Sequence, residues 1–195
     1  MSRRLGILGG TFDPIHIGHL QMAQVVCEKM KLDKVIFVPS NLPPHKTAVG
    51  LTPADHRLNM VKLAVQDNPF FTVSSCEIEK GGKSYSIDTV QYLSHVFSGG
   101  KLFFIIGADA FSTINQWKDI DQIVRIVDFI VVNRPGSVKQ KKSKSSLRQT
   151  QLVMPGLDIS SSFVRQRIAQ GKNIHYLVPE KVVRYIVKNK LYLKK

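Results

Sequence analysis

The stretch Gly9-Gly10-Thr11-Phe12-Asp13-Pro14-Ile15-His16-Ile17-Gly18-His19 follows directly after the apolar run at residues 5–8. This order predicts a strand, a glycine turn and the start of a helix. Two adjacent glycines let the backbone bend tightly and approach a ligand without a Cβ in the way. An apolar stripe then places His19 in the first helical turn, where free N–H groups and the helix dipole favour an anion. We therefore predict a phosphate at this turn.

His16 and His19 are three residues apart, with Gly18 between them. Two polar histidines at a helix N-cap are the simplest alternative to a phosphate site, and a metal site is a further one. Two histidines would still need additional metal ligands, and the sequence has no cysteine or acidic cluster at metal-ligand spacing. The double glycine favours the phosphate interpretation, and we predict no metal ligands.

The amino-acid composition is typical of a soluble globular protein. The chain has 195 residues, of which 43% are hydrophobic and 8% aromatic, so we expect one globular domain with a sizeable core. No apolar run approaches the roughly 20 residues that cross a membrane, and the glycine-broken start is not typical of a secretory signal. Cys27 and Cys76 form no Cys-x-x-Cys pair. A reducing cytoplasm fits this cysteine usage best.

The net charge of +14 is unevenly distributed along the chain. Residues 1–133 carry 13 Lys and Arg against 12 Asp and Glu, whereas residues 134–195 carry 15 against 2. Such a bias can mark a solvated lysine face, a field for polyphosphate, or a nucleic-acid surface. No aromatic residue lies among the lysines at 139–148, which argues against a platform for stacked bases. We rank the solvated face first and nucleic acid last.

Short apolar runs alternate with helical patterns, which predicts βαβ units and a parallel sheet. The fold class is therefore α/β, a doubly wound, mostly parallel sheet with a basic loop at about 134–150 and a small C-terminal helical portion at about 159–195. Such sheets bind ligands beyond the carboxyl ends of their strands. The predicted strands are 4–8, 34–39, 71–74, 101–106, 129–132 and 151–154, and the predicted helices are 19–31, 53–66, 86–97, 119–126, 161–169 and 179–188.

The segment Asp158-Ile159-Ser160-Ser161-Ser162-Phe163-Val164-Arg165 predicts a second phosphate site. Serine hydroxyls at an N-cap accept a backbone N–H, and the remaining N–H groups of the first turn are open to an anion. Arg165, one turn later, can add a planar donor fork. A well-capped helix with an exposed arginine is the alternative, and this segment alone does not decide between them.

Three further segments carry candidate binding groups. Residues 41–46 form a proline-stiffened turn whose His45 and Lys46 offer cationic donors, although such turns are also common surface features. At residues 84–89, Ser86 suits the N-cap of the helix that follows. Gly107 would let the backbone approach a base or ribose. Asp109 could accept from a ribose hydroxyl or cap its own helix.

These segments, in this order, resemble the bacterial nicotinate-nucleotide adenylyltransferase family, within the His-x-Gly-His nucleotidyltransferase superfamily. The resemblance includes Gly-Gly-Thr-Phe-Asp-Pro-Ile-His-x-Gly-His at 9–19 and Pro-Pro-His-Lys at 43–46. It continues with Ser-Tyr-Ser-Ile-Asp-Thr at 84–89, Gly-Ala-Asp-Ala-Phe with Trp117-Lys118, and Ile-Ser-Ser-Ser-Phe-Val-Arg at 159–165. Ser86 and Ser162 stand where the family usually has threonine, and both keep the hydroxyl. Arg57 also resembles the family, in the helix that follows, where a structural role is the expectation.

The resemblance implies a Rossmann-like fold and a reaction in NAD biosynthesis. ATP would transfer AMP to nicotinate mononucleotide, giving deamido-NAD and pyrophosphate, with Mg²⁺ carried on the ATP phosphates. Nicotinamide mononucleotide or phosphopantetheine as acceptor stays open, as does a basic nucleic-acid binding module from a different class. A homo-oligomer is compatible with the sequence.

The resemblance also implies three groups of site residues. The candidate catalytic residues are His16, His19, Lys46 and Arg165. The ATP site would comprise Gly9, Gly10, Thr11, Phe12, Gly18, Gly107, Asp109, Ile159, Ser160, Ser161 and Ser162. The acceptor site would comprise Asn41, Pro44, His45, Tyr85, Ser86, Trp117, Lys118 and Arg134.

Overall fold

The computed structural model describes residues 2–44, 47, 49–133 and 147–193. Their strands form one six-stranded sheet in the order β3-β2-β1-β4-β5-β6, and every neighbouring pair is parallel. This confirms the α/β prediction. The strands are β1 (Arg4–Gly10), β2 (Lys34–Pro39), β3 (Phe71–Val73), β4 (Lys101–Gly107), β5 (Val127–Asn133) and β6 (Gln149–Val153).

Helices connect the strands and follow the sheet. The helices are α1 (Ile17–Lys29), α2 (Ala54–Val65), α3 (Cys76–Lys80), α4 (Ser86–Val96), α5 (Ala108–Phe111), α6 (Ile120–Ile126), α7 (Ser161–Ala169) and α8 (Glu180–Lys188). A 3-10 turn at Ile114–Gln116 precedes α6. The predicted C-terminal helical portion corresponds to α7 and α8. Among the described residues, no helix has the length and apolarity that a membrane span needs.

The sheet is buried on both faces, which explains the continuous apolar runs. In β2, Phe37 packs in one core cluster while Ile36 and Val38 pack in the other. The first cluster also holds α1 and α2, and the second holds α4 and α6. Two hydrophobic layers therefore enclose the strands.

The strand order reverses at β1, which lies between β2 and β4. The loops after β1 and β4 leave the sheet toward opposite sides, which opens a crevice at their carboxyl ends. The prediction of a turn at Gly9 and Gly10 is wrong, because both residues continue β1 and pair with β2, and the chain turns only after Gly10. This end of β1 and Gly107 at the end of β4 both lie at this edge. The topology thus places the predicted phosphate turn where a ligand can enter.

Strand β6 begins two residues earlier than the sequence pattern predicts. Gln149 and Thr150 pair with β5, so the predicted basic loop ends too late at 150. Strand β6 is the outer neighbour of β5 in the sheet, and several of its residues are exposed. The start of β6 can therefore be polar, and the apolar residues by which a strand is recognised begin only at Leu152. The rest of that loop, at 134–146, lies outside the described residues.

Candidate nucleotide-binding site

The turn between β1 and α1 fixes the orientation of His19. His16 is the N-cap of α1, and His19 is the third helical residue. The backbone N–H of His16 donates to Nδ1 of His19 across 3.2 Å, as a Glu or Gln side chain does in an ordinary capping box. Because Nδ1 of His19 accepts this bond, the neutral imidazole carries its proton on Nε2. His19 is therefore a directed donor.

Ring packing holds His19 in this orientation. Its ring stacks on His16 with centroids 3.6 Å apart and meets Phe12 edge-on at 5.1 Å. Burial, together with the neighbouring His16, lowers the pKa of His19 well below 6.5. The imidazole is consequently neutral near pH 7, so it would stabilise an anion by hydrogen bonding rather than by a full charge.

The glycines of this turn make room for rings. Phe12 is buried with a backbone φ of +49°, and a Cβ on Gly10 would lie 2.9 Å from its Cζ. A Cβ on Gly18 would lie 3.1 Å from Nδ1 of His16. A side chain at position 10 would therefore clash with the Phe12 ring, and one at position 18 would crowd the His16 ring, a packing reason that the sequence pattern did not reveal.

Helix α7 docks onto the same turn. Ser160 is the N-cap, and its hydroxyl accepts the backbone N–H of Phe163 at 3.1 Å. The Ser161 hydroxyl donates to the carbonyl of Pro14 at 2.9 Å. Nη1 of Arg165 donates to the carbonyl of Asp13 at 2.7 Å, and Nη2 donates to Ser162 Oγ at 3.2 Å. The two predicted phosphate segments are thus held side by side.

Arg57 ties the loops around the site together. Its side chain is fully buried, and its guanidinium donates to the carbonyls of Thr52, Thr11, Ser40 and Asn41 at 2.9, 2.8, 2.5 and 2.7 Å. Burial lowers its pKa, although the nearby Asp13 acts in the opposite direction. These bonds join the loop after β1 to the loop after β2. The sequence resemblance identified this arginine with a structural role, and the four bonds agree with that expectation.

A cleft of about 600 Å³ opens beside the end of β1. Gly9, Gly10, Thr11 and His19 line it, as do Tyr85, Ser86 and Trp117. Trp117 meets Phe104 edge-on at 5.4 Å, and Nζ of Lys118 lies 4.7 Å from the centre of the Tyr85 ring. The lining therefore combines hydrogen-bond donors with aromatic surface and a cation.

The structure brings ten of the predicted site residues to this cleft: Gly9, Gly10, Thr11, His19, Pro44, Tyr85, Ser86, Gly107, Trp117 and Lys118. Another ten do not line it: Phe12, His16, Gly18, Asn41, Asp109, Ile159, Ser160, Ser161, Ser162 and Arg165. Of these, Phe12 and His16 contact His19, and Asn41 bonds to Ser84, so three of them support residues that line the cleft. His45, Lys46 and Arg134 lie outside the described residues.

Two predicted helix caps differ from the structure. Tyr85 is the N-cap of α4, and Ser86 is its first helical residue. Gly107 is the N-cap of α5, where Asp109 is an exposed first-turn residue. Tyr85 and Gly107 both have extended backbone angles, and the helix begins at the residue after each of them. The helix starts are therefore set by where the preceding strand or loop ends.

Glu77 on α3 is a cleft residue that sequence reasoning missed. The Thr89 hydroxyl donates to its Oε1 at 2.5 Å, and burial raises the pKa of Glu77. The Ser84 hydroxyl, which also hydrogen bonds to Glu77, accepts the backbone N–H of Asn41 at 2.8 Å. A half-buried carboxylate therefore organises the wall that carries Tyr85 and Ser86. Its sequence neighbourhood, rich in charge, predicts only a solvated surface.

Sequence comparisons place this site in a known group. The profile of the cytidylyltransferase-like family matches residues 7–167. A probable nicotinate-nucleotide adenylyltransferase of Thermoanaerobacter sp. is 44% identical over 98% of this chain and 95% of its own. A protein of the same description from Kineococcus radiotolerans is 43% identical over 95% of this chain and 89% of its own.

Solved structures share the fold at lower identity. Plasmodium falciparum nicotinic acid mononucleotide adenylyltransferase complexed with NaAD has a TM-score of 0.77, with 20% identity over 97% of both chains. A putative nicotinate-nucleotide adenylyltransferase from Vibrio parahaemolyticus has a TM-score of 0.72, with 16% identity over 99% of this chain and 97% of its own.

Proposed function

The chain belongs to the nicotinate-nucleotide adenylyltransferases of the cytidylyltransferase-like family, and on that premise we propose that it transfers AMP from ATP to nicotinate mononucleotide. The products are deamido-NAD and pyrophosphate, in a step of NAD biosynthesis. The related Plasmodium enzyme is described in complex with NaAD and with APC, which supports nucleotide ligands for this cleft. The cytoplasm is the compartment that we propose.

The observation that carries this proposal is the docking of α7 on the Asp13-Pro14 turn. It brings the starts of α1 and α7 together beside the cleft that His19 lines. Both helix starts contribute the positive end of a dipole, and α7 adds the N–H groups of its first turn, whereas the Ile17 N–H at the start of α1 already donates to the Leu177 carbonyl at 2.9 Å. A triphosphate is the ligand that needs such groups from two directions.

For this reaction, the protein must align the acceptor phosphate with the α-phosphorus of ATP and stabilise the negative charge on the phosphate oxygens. The acceptor's phosphate is already a nucleophile at neutral pH, so no covalent intermediate is required. In-line attack on the α-phosphorus increases the negative charge on the nonbridging and leaving oxygens. Nε2–H of His19, held by the His16 backbone, is a preorganised donor for that charge. We assign His19 to the α-phosphate region and treat His16 as the residue that orients it.

The α7 side serves the β- and γ-phosphates in this proposal. Ser161 and Arg165 bind the turn carbonyls, so the groups that remain for ATP are backbone N–H groups at the start of α7 and the exposed Ser162. The acceptor side is assigned to Lys46 and His45, which lie outside the described residues, and to Tyr85, Ser86, Trp117 and Lys118. Trp117 offers a ring for stacking on the pyridine.

Mg²⁺ enters this proposal bound to ATP. The described part of the chain contains no group of three or more His, Cys, Asp or Glu residues that could hold a metal ion. The phosphate oxygens supply the ligands that Mg²⁺ prefers, and we assign no step to a protein-bound ion.

A pyrophosphate-release assay tests the proposal directly. ATP and Mg²⁺ would be supplied with nicotinate mononucleotide, nicotinamide mononucleotide or phosphopantetheine in parallel, and the dinucleotide product identified by mass. We expect fast release only with nicotinate mononucleotide. Faster release with either other acceptor would reassign the substrate. No release with any of them, together with salt-sensitive binding of RNA or DNA, would favour the nucleic-acid alternative.

A further inference from the structure

The C-terminal segment reaches back to the phosphate turn. After α8 ends at Lys188, the chain returns through a loop in which Lys190 and Tyr192 have backbone φ angles of +50° and +65°. Side-chain-bearing residues rarely adopt such angles, which are strained. The surrounding contacts must therefore hold Tyr192 in place.

Those contacts are to Asp13. The phenol of Tyr192 donates to Asp13 Oδ1 at 2.7 Å, across 179 residues of sequence. Asp13 is only 4% exposed. Burial and the Asp13 charge raise the pKa of Tyr192, whose hydroxyl also hydrogen bonds to Thr52. The phenol consequently stays protonated and remains a donor at any working pH.

Asp13 occupies a junction in the site. Its carbonyl accepts Nη1 of Arg165, and its Oδ2 lies 3.5 Å from the backbone nitrogen of Thr52. It lies in the turn between the glycine pair and His16, the residue that orients His19. A shift of the Asp13 carboxylate would therefore move both helix starts that face the triphosphate.

We propose that Tyr192 is a positioning residue for adenylyl transfer, which holds Asp13 and thereby the relative placement of the α1 and α7 N-termini. This inference rests on the proposed function. Tyr192 acts through Asp13 and not on the substrate. Its hydroxyl already hydrogen bonds to Asp13 and Thr52, and its side chain does not line the cleft.

Tyr185 on α8 provides a matched comparison. Its hydroxyl lies 2.9 Å from His56 Nδ1 and accepts from Asn59 Nδ2 at 3.2 Å, so it joins α8 to α2. The C-terminal segment is thus already anchored to the body of the protein without Tyr192. Both tyrosines pack their rings against the same core cluster, and only the Tyr192 hydroxyl reaches the phosphate turn.

The test compares Tyr192→Phe with Tyr185→Phe, each of which removes one oxygen. Losing a hydrogen bond to a buried carboxylate should lower kcat/KM for ATP by about tenfold in Tyr192→Phe. Tyr185→Phe should keep the wild-type kcat/KM while losing thermal stability to a similar extent. A purely structural role predicts the same melting shifts but an equal kcat/KM in the two variants, and that result would overturn the proposal.

Hydrogen exchange provides a readout that does not depend on catalysis. In the ligand-free protein, amides at residues 15–20 and 161–166 should exchange faster in Tyr192→Phe than in Tyr185→Phe. Unchanged protection at both segments would refute the positioning role, even if the wild type proved inactive in the pyrophosphate assay. Failure of the proposed function and failure of the positioning role are therefore distinguishable.

Discussion

The N-termini of α1 and α7 make different contacts, although the sequence predicts a phosphate site at each. Each helix follows a polar N-cap residue with an extended backbone, His16 for α1 and Ser160 for α7. At α1, the polar groups satisfy one another, and His19 is left facing the cleft. At α7, Ser160 caps its own helix while Ser161 and Arg165 bind the Asp13-Pro14 turn.

The start of α1 thus presents the His19 side chain to the cleft, whereas the start of α7 binds the Asp13-Pro14 turn. Helix α7 does not line the described cleft with its side chains, and its polar residues hold the turn from behind. The four predictions below test this division, beginning with the largest expected effect.

Removing the displayed donor should have the largest effect. His19→Ala deletes the Nε2–H group and should cost about 2.7–4 kcal/mol of transition-state stabilisation, which corresponds to a loss of about 100- to 1000-fold in kcat/KM. His19→Gln places an amide N–H near the same position and should recover part of this. His95→Ala, an exposed histidine on α4, is the control. If His19→Ala stays within about threefold of wild type, the donor role is wrong.

Weakening the docking of α7 should have a smaller effect. Arg165→Lys keeps the charge but loses the planar fork that binds the Asp13 carbonyl and Ser162. We expect a loss of about 1.5–3 kcal/mol in unfolding free energy, with a raised KM for ATP. Arg167→Lys, on the same helix and bonded to the Asn173 carbonyl, should leave KM unchanged. Equal effects of the two substitutions would contradict a specific docking role.

The N-cap of α7 should contribute mainly to the free energy of unfolding and less to ATP binding. Ser160→Ala removes the acceptor for the Phe163 N–H and should lower the free energy of unfolding by about 1 kcal/mol in urea titrations. Ser160→Gly should cost only about a few tenths of that. A glycine variant as unstable as the alanine variant would show that the hydroxyl stabilises something other than the cap.

The pH dependence of stability should report the buried His19. Its pKa in the folded chain is lowered below the ordinary value of 6.5, so the unfolded chain binds more protons between these two values. Stability is therefore complete above the unfolded pKa and falls as the pH decreases into that window. Urea unfolding at about pH 7.5 and about pH 5.5 should show a smaller drop in His19→Gln than in wild type. An equal drop would place the pH sensitivity elsewhere.

The sequence by itself determined the six strands, the order of the segments and the segment from β1 to α1 that carries His19. These features are local: continuous apolar runs predict strands buried on both faces, and Gly9, Gly10 and His19 lie within eleven residues. The resemblance also gave the family, because its motifs stand in order along the chain. The ends of the elements were predicted less well where burial changes along an element, as at the polar start of β6.

Only the tertiary structure decided which distant groups meet. Arg57 appears in the sequence as an ordinary helix arginine, yet it is buried and bound to four carbonyls. Nothing near Glu77 in sequence indicates that Thr89 donates to it, and Tyr192 contacts Asp13 across nearly the whole chain. Hydrophobic periodicity reports which face of an element is buried, but not which polar side chain lies opposite. Those pairings follow from how the elements pack, and they fix the orientation of the polar groups around the cleft.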